Sequence, residues 1–133
     1  MQVHGSCHCA NIRYEATVDP EQTAICHCTD CQKLTGSAYR VSVPAHEGSF
    51  HLLAGEPRIY VKTGDNGARR AQAFCPDCGS PLYTYDVDDP AIHGLRVGCI
   101  AERKALVPRQ QKWCGSALGW TENLAGMPRR DRD

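Results

Sequence analysis

Apolar and polar residues alternate along Ile12-Arg13-Tyr14-Glu15-Ala16-Thr17-Val18, and the same period of two recurs in Tyr39-Arg40-Val41-Ser42-Val43 and Arg58-Ile59-Tyr60-Val61-Lys62. Successive side chains of an extended strand point to opposite faces, so each stretch predicts a half-buried strand. Shorter runs predict strands over Ser49–Leu53, Arg70–Phe74, Pro81–Tyr85 and Leu95–Cys99. Between them lie Gly55-Glu56-Pro57, Gly64-Asp65-Asn66-Gly67 and Asp88-Asp89-Pro90, with Gly or Pro where the backbone must reverse. Only Thr29–Leu34 and Ser116–Leu124 could hold a turn or two of helix. The pattern predicts an all-β chain, mainly β with little helix, whose strands are mostly antiparallel.

Length and charge narrow the picture. A chain of 133 residues fits one domain, expected over 1–128, with 129–133 as a solvated tail. Fifteen Lys and Arg balance fifteen Asp and Glu, so nothing draws the chain to nucleic acid or an acidic membrane surface, and its partners are expected to be small molecules. No run reaches the roughly 18 apolar residues of a membrane span, and Met1-Gln2-Val3-His4-Gly5 lacks the features of a signal peptide, so a cytoplasmic location is expected. Neither pattern nor composition bears on the oligomeric state.

Nine cysteines in a reducing compartment point to metal thiolates rather than a disulfide framework. Cys7-His8-Cys9 and Cys75-Pro76-Asp77-Cys78-Gly79 are two short pincers that together supply four sulfurs, the set of a closed structural zinc. Such a site is expected to tie the N-terminal edge to the middle of the sheet. A second site is expected at Cys26-His27-Cys28-Thr29-Asp30-Cys31, where three cysteines converge within six residues. With three protein ligands and an exchangeable position this is the arrangement of a catalytic zinc; with a protein fourth ligand, from Cys99, Cys114, His27 or His8, it is structural too. Thiolate donors leave little positive charge on the ion, which favours a soft thiol substrate over hydrolysis.

Four stretches carry a resemblance: Gly5-Ser6-Cys7-His8-Cys9, the run Cys26–Ala38 that begins with the three-cysteine cluster, Phe74–Leu82 around the second pincer, and Trp113–Trp120. In order and spacing they resemble the family of glutathione-dependent formaldehyde-activating enzymes and centromere protein V, over about Gly5 to Pro128. The resemblance implies a β-tent fold of antiparallel sheets, a structural zinc on Cys7, Cys9, Cys75 and Cys78, and a catalytic zinc on Cys26, Cys28 and Cys31, two ions per chain. It also implies a lyase that makes or breaks a carbon–sulfur bond in an adduct of glutathione with formaldehyde or another aldehyde. The alternative is a noncatalytic zinc module that binds a small thiol or a protein.

The reaction must move a proton, and His27 is the first candidate, ahead of Asp30, His8 and Lys33. Lys33 and Arg40 read first as a solvated face and second as contacts for glutathione carboxylates. Backbone N–H groups of Thr35-Gly36-Ser37 are expected to bond to metal-bound sulfur. Trp113 and Trp120 are expected in the core, with a pocket wall as the second reading.

Overall fold

The computed structural model describes residues 1–133 and is mostly β, with the strands in two sheets. Strands β1 (Gln2–Ser6), β2 (Arg13–Thr17), β3 (Ala24–Cys26) and β4 (Arg40–Pro44) are followed by β5 (His51–Ala54), β6 (Arg58–Thr63), β7 (Arg69–Phe74), β8 (Pro81–Asp86), β9 (Gly94–Arg96) and β10 (Gln110–Lys112). The one α-helix, α1, spans Thr29–Thr35. A three-stranded sheet has the order β1-β2-β5 and a seven-stranded sheet the order β10-β3-β4-β9-β8-β7-β6.

Alternation in the sequence becomes the packing between these sheets. Ile12, Tyr14, Ala16 and Val18 turn inward from the small sheet to meet Val43, Ala73, Leu82, Tyr83 and Leu95 of the large one, with Ile100 between. Tyr14, Phe50, Tyr83 and His93 form an aromatic group within it, the Phe50 and His93 rings stacked 4.2 Å apart. Gly5 pairs in register with Tyr14, and the Tyr14 ring occupies the space a Cβ on Gly5 would need, 1.9 Å from Cζ.

Several expectations are corrected. β3 and β10 show no clear period of two, because each has only three residues and neither has a buried face, while β1 was missed although Val3 and Gly5 turn inward between exposed Gln2 and His4. β10 runs parallel to β3, an exception to the antiparallel expectation. The predicted strand Leu95–Cys99 shortens to β9 and turns into a 3₁₀ segment at Val97–Cys99, and Ser116–Leu124 is likewise 3₁₀ over Cys114–Ser116 and Gly119–Gly126. β6 forms as predicted but is not half-buried: Ile59 and Val61 are exposed because β6 is the edge of the large sheet. No helix is long and apolar enough to cross a membrane.

Candidate metal centres and the cavity beside them

The two cysteine groups read from spacing each come together. The Sγ atoms of Cys7, Cys9, Cys75 and Cys78 lie within 4.8 Å of one another, as do those of Cys26, Cys28 and Cys31, so both could hold a metal ion.

The four-cysteine group is built by two loops. Cys7 and Cys9 follow β1 of the small sheet; Cys75 and Cys78 lie between β7 and β8 of the large one. The group therefore clasps one sheet to the other, rather than joining an edge to the middle of a single sheet. Sγ of Cys9 lies 3.6 Å from that of Cys7 and 3.7 Å from that of Cys75. The Ile12 N–H donates to Cys7 Sγ at 3.3 Å, and Ser80 Oγ lies 3.2 Å from Cys78 Sγ. That hydroxyl, and then the backbone at Cys9, stabilise the Cys78 thiolate and bring its pKa down to about 5. Across the same seam, Asn11 Nδ2 donates to Asp77 Oδ2 at 3.0 Å.

The three-cysteine group needs no distant sequence. Cys26 ends β3, Cys28 is the N-cap of α1 and Cys31 sits in its first turn, where its N–H donates to Cys28 Sγ at 3.3 Å. Gly36 ends the helix at φ 60°, a left-handed conformation that only glycine adopts without strain. Burial pushes the Cys28 thiol up, but the Cys31 N–H and the neighbouring thiols outweigh it and the net shift is downward. Cys31 is pushed up to about 12, by burial first and Cys28 second. Cys28 and Cys31 are thus shifted in opposite directions, and a cation among the three sulfurs would favour the thiolate form of each.

No fourth His, Cys, Asp or Glu joins these three sulfurs within that distance. Of the four side chains considered for the place, Cys99 donates to the Pro81 carbonyl at 3.2 Å and is raised in pKa by burial and then by the charges of Cys7 and Cys78, so it neighbours the other cluster. Cys114 is exposed, and His8 is an exposed residue of the Cys7–Cys9 loop whose N–H donates to Ser80. His27, 3% exposed, turns its Nε2 to Gln111 Oε1 at 2.7 Å, while its buried Nδ1 has no partner.

Three further expectations change. The N–H groups of Gly36 and Ser37 bond to the C-terminal turn of α1 and to Thr35 Oγ1, not to sulfur, because they are spent on capping the helix. Trp113 and Trp120, expected in the core, are 66% and 52% exposed. Arg40 is not on a solvated face: it is 5% exposed, pairs in register with Cys26 and leaves Nε without a partner. Lys33 is exposed, as expected.

A cavity of about 550 Å³ opens beside Cys28, lined among others by Asp30, Lys62, Arg70, Trp113 and Ser116. Lys62 Nζ donates to Asp30 Oδ2 at 2.8 Å, and Asp30 then Cys28 raise its pKa against the opposing effect of burial. Trp113 reaches the cavity because β10 and the turn after it are strapped across the cluster. His27 N–H donates to the Lys112 carbonyl at 3.0 Å, Ser116 Oγ donates to the His27 carbonyl at 3.0 Å, and Gln32 Nε2 donates to the carbonyls of His27 and Ser116. Sequence reasoning missed Lys62 and Arg70. Their signal lay in the polar positions of β6 and β7, which alternate onto one face.

Comparison with known proteins agrees with this picture. The sequence profile of the family described as glutathione-dependent formaldehyde-activating enzyme matches residues 2–116. No curated protein matches the chain. Its fold is similar to the crystal structure of a Rhodobacter sphaeroides protein, with a TM-score of 0.63 and 16% sequence identity, over 82% of this chain and 99% of that one.

Proposed function

Because the chain belongs to the family of glutathione-dependent formaldehyde-activating enzymes, we propose that it is a zinc-dependent carbon–sulfur lyase acting on a glutathione–aldehyde adduct at the three-cysteine cluster. The observation that carries this reading is the position of Cys28: it is one of three sulfurs with no fourth protein ligand, and it lines a cavity of about 550 Å³.

The donor sets fit zinc. Sulfurs about 2.3 Å from a common centre in a tetrahedron lie roughly 3.8 Å apart, close to the 3.6 and 3.7 Å separations in the four-cysteine group. That group is closed and would hold a structural ion. Held by Cys26, Cys28 and Cys31, a zinc would supply Lewis acidity and an affinity for thiol sulfur.

In the reaction, the thiol sulfur bonds to the aldehyde carbon, the C=O π pair moves to oxygen, and that oxygen takes up the proton the thiol gives up; the lyase direction reverses each change. The chain's own residues bind, orient and carry the proton. Trp113 lines the cavity beside Cys28, and Lys62 holds the Asp30 carboxylate in place. Asp30 lines the cavity and can pass the proton between sulfur and oxygen. His27 does not line it, so its candidacy for the same task rests on the one free Nδ1.

Adducts of thiols with formaldehyde form quickly unaided, so product yield is a poor test. Exchange spectroscopy at equilibrium compares interconversion rates with the protein, with Cys28→Ser and with no protein, over formaldehyde and larger aldehydes. Acceleration that Cys28→Ser abolishes is expected. Equal rates in all three sink the proposal, and thiol binding without acceleration makes the protein a ligand-binding module.

A further inference from the structure

We propose that a second cleft, walled by Arg40, Gln72 and Arg96, receives a carboxylate of the thiol whose sulfur lies at the three-cysteine cluster, and so makes the protein selective for anionic thiols over neutral ones. This rests on reading that cluster as the reaction site.

The cleft has a volume of about 350 Å³ and adjoins the cluster through Arg40, beside Cys31. Arg40 comes from β4, Arg96 from β9, Gln72 from β7 and Tyr60 from β6, and Leu34 of α1 closes one side. What it lacks is a counter-charge: no Asp or Glu lines it. Arg96 donates from Nη1 to Ser42 Oγ at 2.9 Å and from Nη2 to Gln72 Oε1 at 2.7 Å, both neutral acceptors, and the buried Nε of Arg40 has no acceptor. Burial first, and the Arg40 charge second, bring the Arg96 pKa down to about 9. Two guanidinium groups held together away from water cost stability unless an anion offsets them. The thiolates do so only in part, because three of them around one divalent ion leave a single negative charge. A carboxylate from the substrate supplies the rest, with the planar, bidentate geometry that arginine favours.

Reach and charge both favour this cleft over the cavity beside Cys28. Lys62 and Arg70 line that cavity, and Tyr60 and Gln72, two residues along the same strands and on the same face, line the cleft. Two residues of strand advance about 7 Å. An extended tripeptide spans roughly 10 Å, enough to place sulfur beside Cys28 and a carboxylate between Arg40 and Arg96. In the cavity the cations Lys62 and Arg70 already face Asp30 and Asp65, so it offers an anion no net attraction.

The test uses protein loaded with cobalt at the three-cysteine cluster, whose sulfur-to-metal absorption reports thiol coordination independently of turnover. Affinities are measured for glutathione, for its diethyl ester, which has lost both carboxylate charges, and for 2-mercaptoethanol. Glutathione is expected to bind wild type at least about tenfold more tightly than either carboxylate-free thiol, and Arg96→Gln to remove that advantage while leaving 2-mercaptoethanol within about twofold. Arg70→Gln should weaken glutathione less than Arg96→Gln does. Equal affinity of wild type for all three thiols overturns the anion site and leaves the reaction site standing. So does an Arg96→Gln effect shared by 2-mercaptoethanol, or a larger effect at Arg70. If no thiol perturbs the cobalt absorption, both readings fall. The wild-type comparison of glutathione with its ester decides the matter even if the arginine variants do not fold.

Discussion

Replacing Cys75 and Cys28 in turn by serine tests whether a metal at the four-cysteine group folds the chain while one at the three-cysteine group serves the proposed reaction. Cys75 is fully buried at the seam of the two sheets, in a cluster whose ligands come from both. Binding of a structural zinc by a small four-ligand site is worth about 10–16 kcal/mol near neutral pH, comparable with the roughly 5–15 kcal/mol that separates a whole domain from its unfolded state. Cys75→Ser removes one of four thiolates and leaves a buried hydroxyl, so no folded protein is expected. Cys28→Ser differs in every respect. Its ligands all lie within one short stretch and hold no sheets together, and Cys28 Sγ serves as the N-cap acceptor of the Cys31 N–H, a role serine fills at least as well. The cost should stay below about 1 kcal/mol, a few degrees in Tm. Thermal melts followed by circular dichroism, with metal content measured before heating, decide it. A Cys28→Ser protein that is as unfolded as Cys75→Ser would refute the division of labour.

Four other outcomes are expected. Mild chelation of wild type should leave about one zinc per chain, held by the four-cysteine group; loss of both together, or a single ion from the start, would contradict the two-site reading. Asp30→Asn should slow thiol–aldehyde exchange more than His27→Gln, and the reverse order of rates would move the proton to His27 Nδ1. His4 Nδ1 lies 2.7 Å from Glu102 Oε1, which raises the His4 pKa above 6.5, while His4 outweighs burial in lowering Glu102 below 4.5. The stability from His4 is present below pH 6.5 and lost as pH rises through its raised value, and that from Glu102 is lost as pH falls through its lowered value, so Tm should drop less between pH 6 and pH 8.5 in His4→Gln than in wild type. Gly5→Ala should destabilise by about 1–3 kcal/mol in urea titration, since the Tyr14 ring cannot yield without displacing Phe50 and Tyr83; an unchanged midpoint would show that it can.

What the sequence made legible divides along physical lines. β2 announces itself because its inward positions, Tyr14 and Ala16, alternate with more exposed ones, and burial on one face writes a period of two into the residues. β6 carries the same period without the burial, since at the sheet edge all of it but Lys62 is exposed, and the pattern cannot tell an edge from a centre. β10 is invisible: Gln110-Gln111-Lys112 is polar throughout and becomes a strand only because β3 offers it a parallel ladder. The cysteine groups were readable because ligand spacing is local chemistry. Alternation in β6 and β7 puts Lys62 and Arg70 on one face, but their place beside the cluster, like that of Arg96, depends on a strand order in the sheet that no local period encodes.

That contrast explains why the two cysteine groups can have different fates although their donors are the same. Sulfurs drawn from loops of different sheets are held by the fold and hold it in return, so an ion there cannot trade a ligand without opening the seam between β1 and the β7–β8 loop. Sulfurs drawn from one turn, capped at Cys28 and closed at Gly36, are placed by the local backbone whether or not an ion is present. An ion on three such sulfurs can take and release a fourth donor while the core between the sheets stays as it is. Exchange of ligands is what a reaction on a thiol requires. On the proposed reading, the chain would meet that requirement by keeping the chemistry of the three-cysteine turn apart from the clasp that joins its sheets.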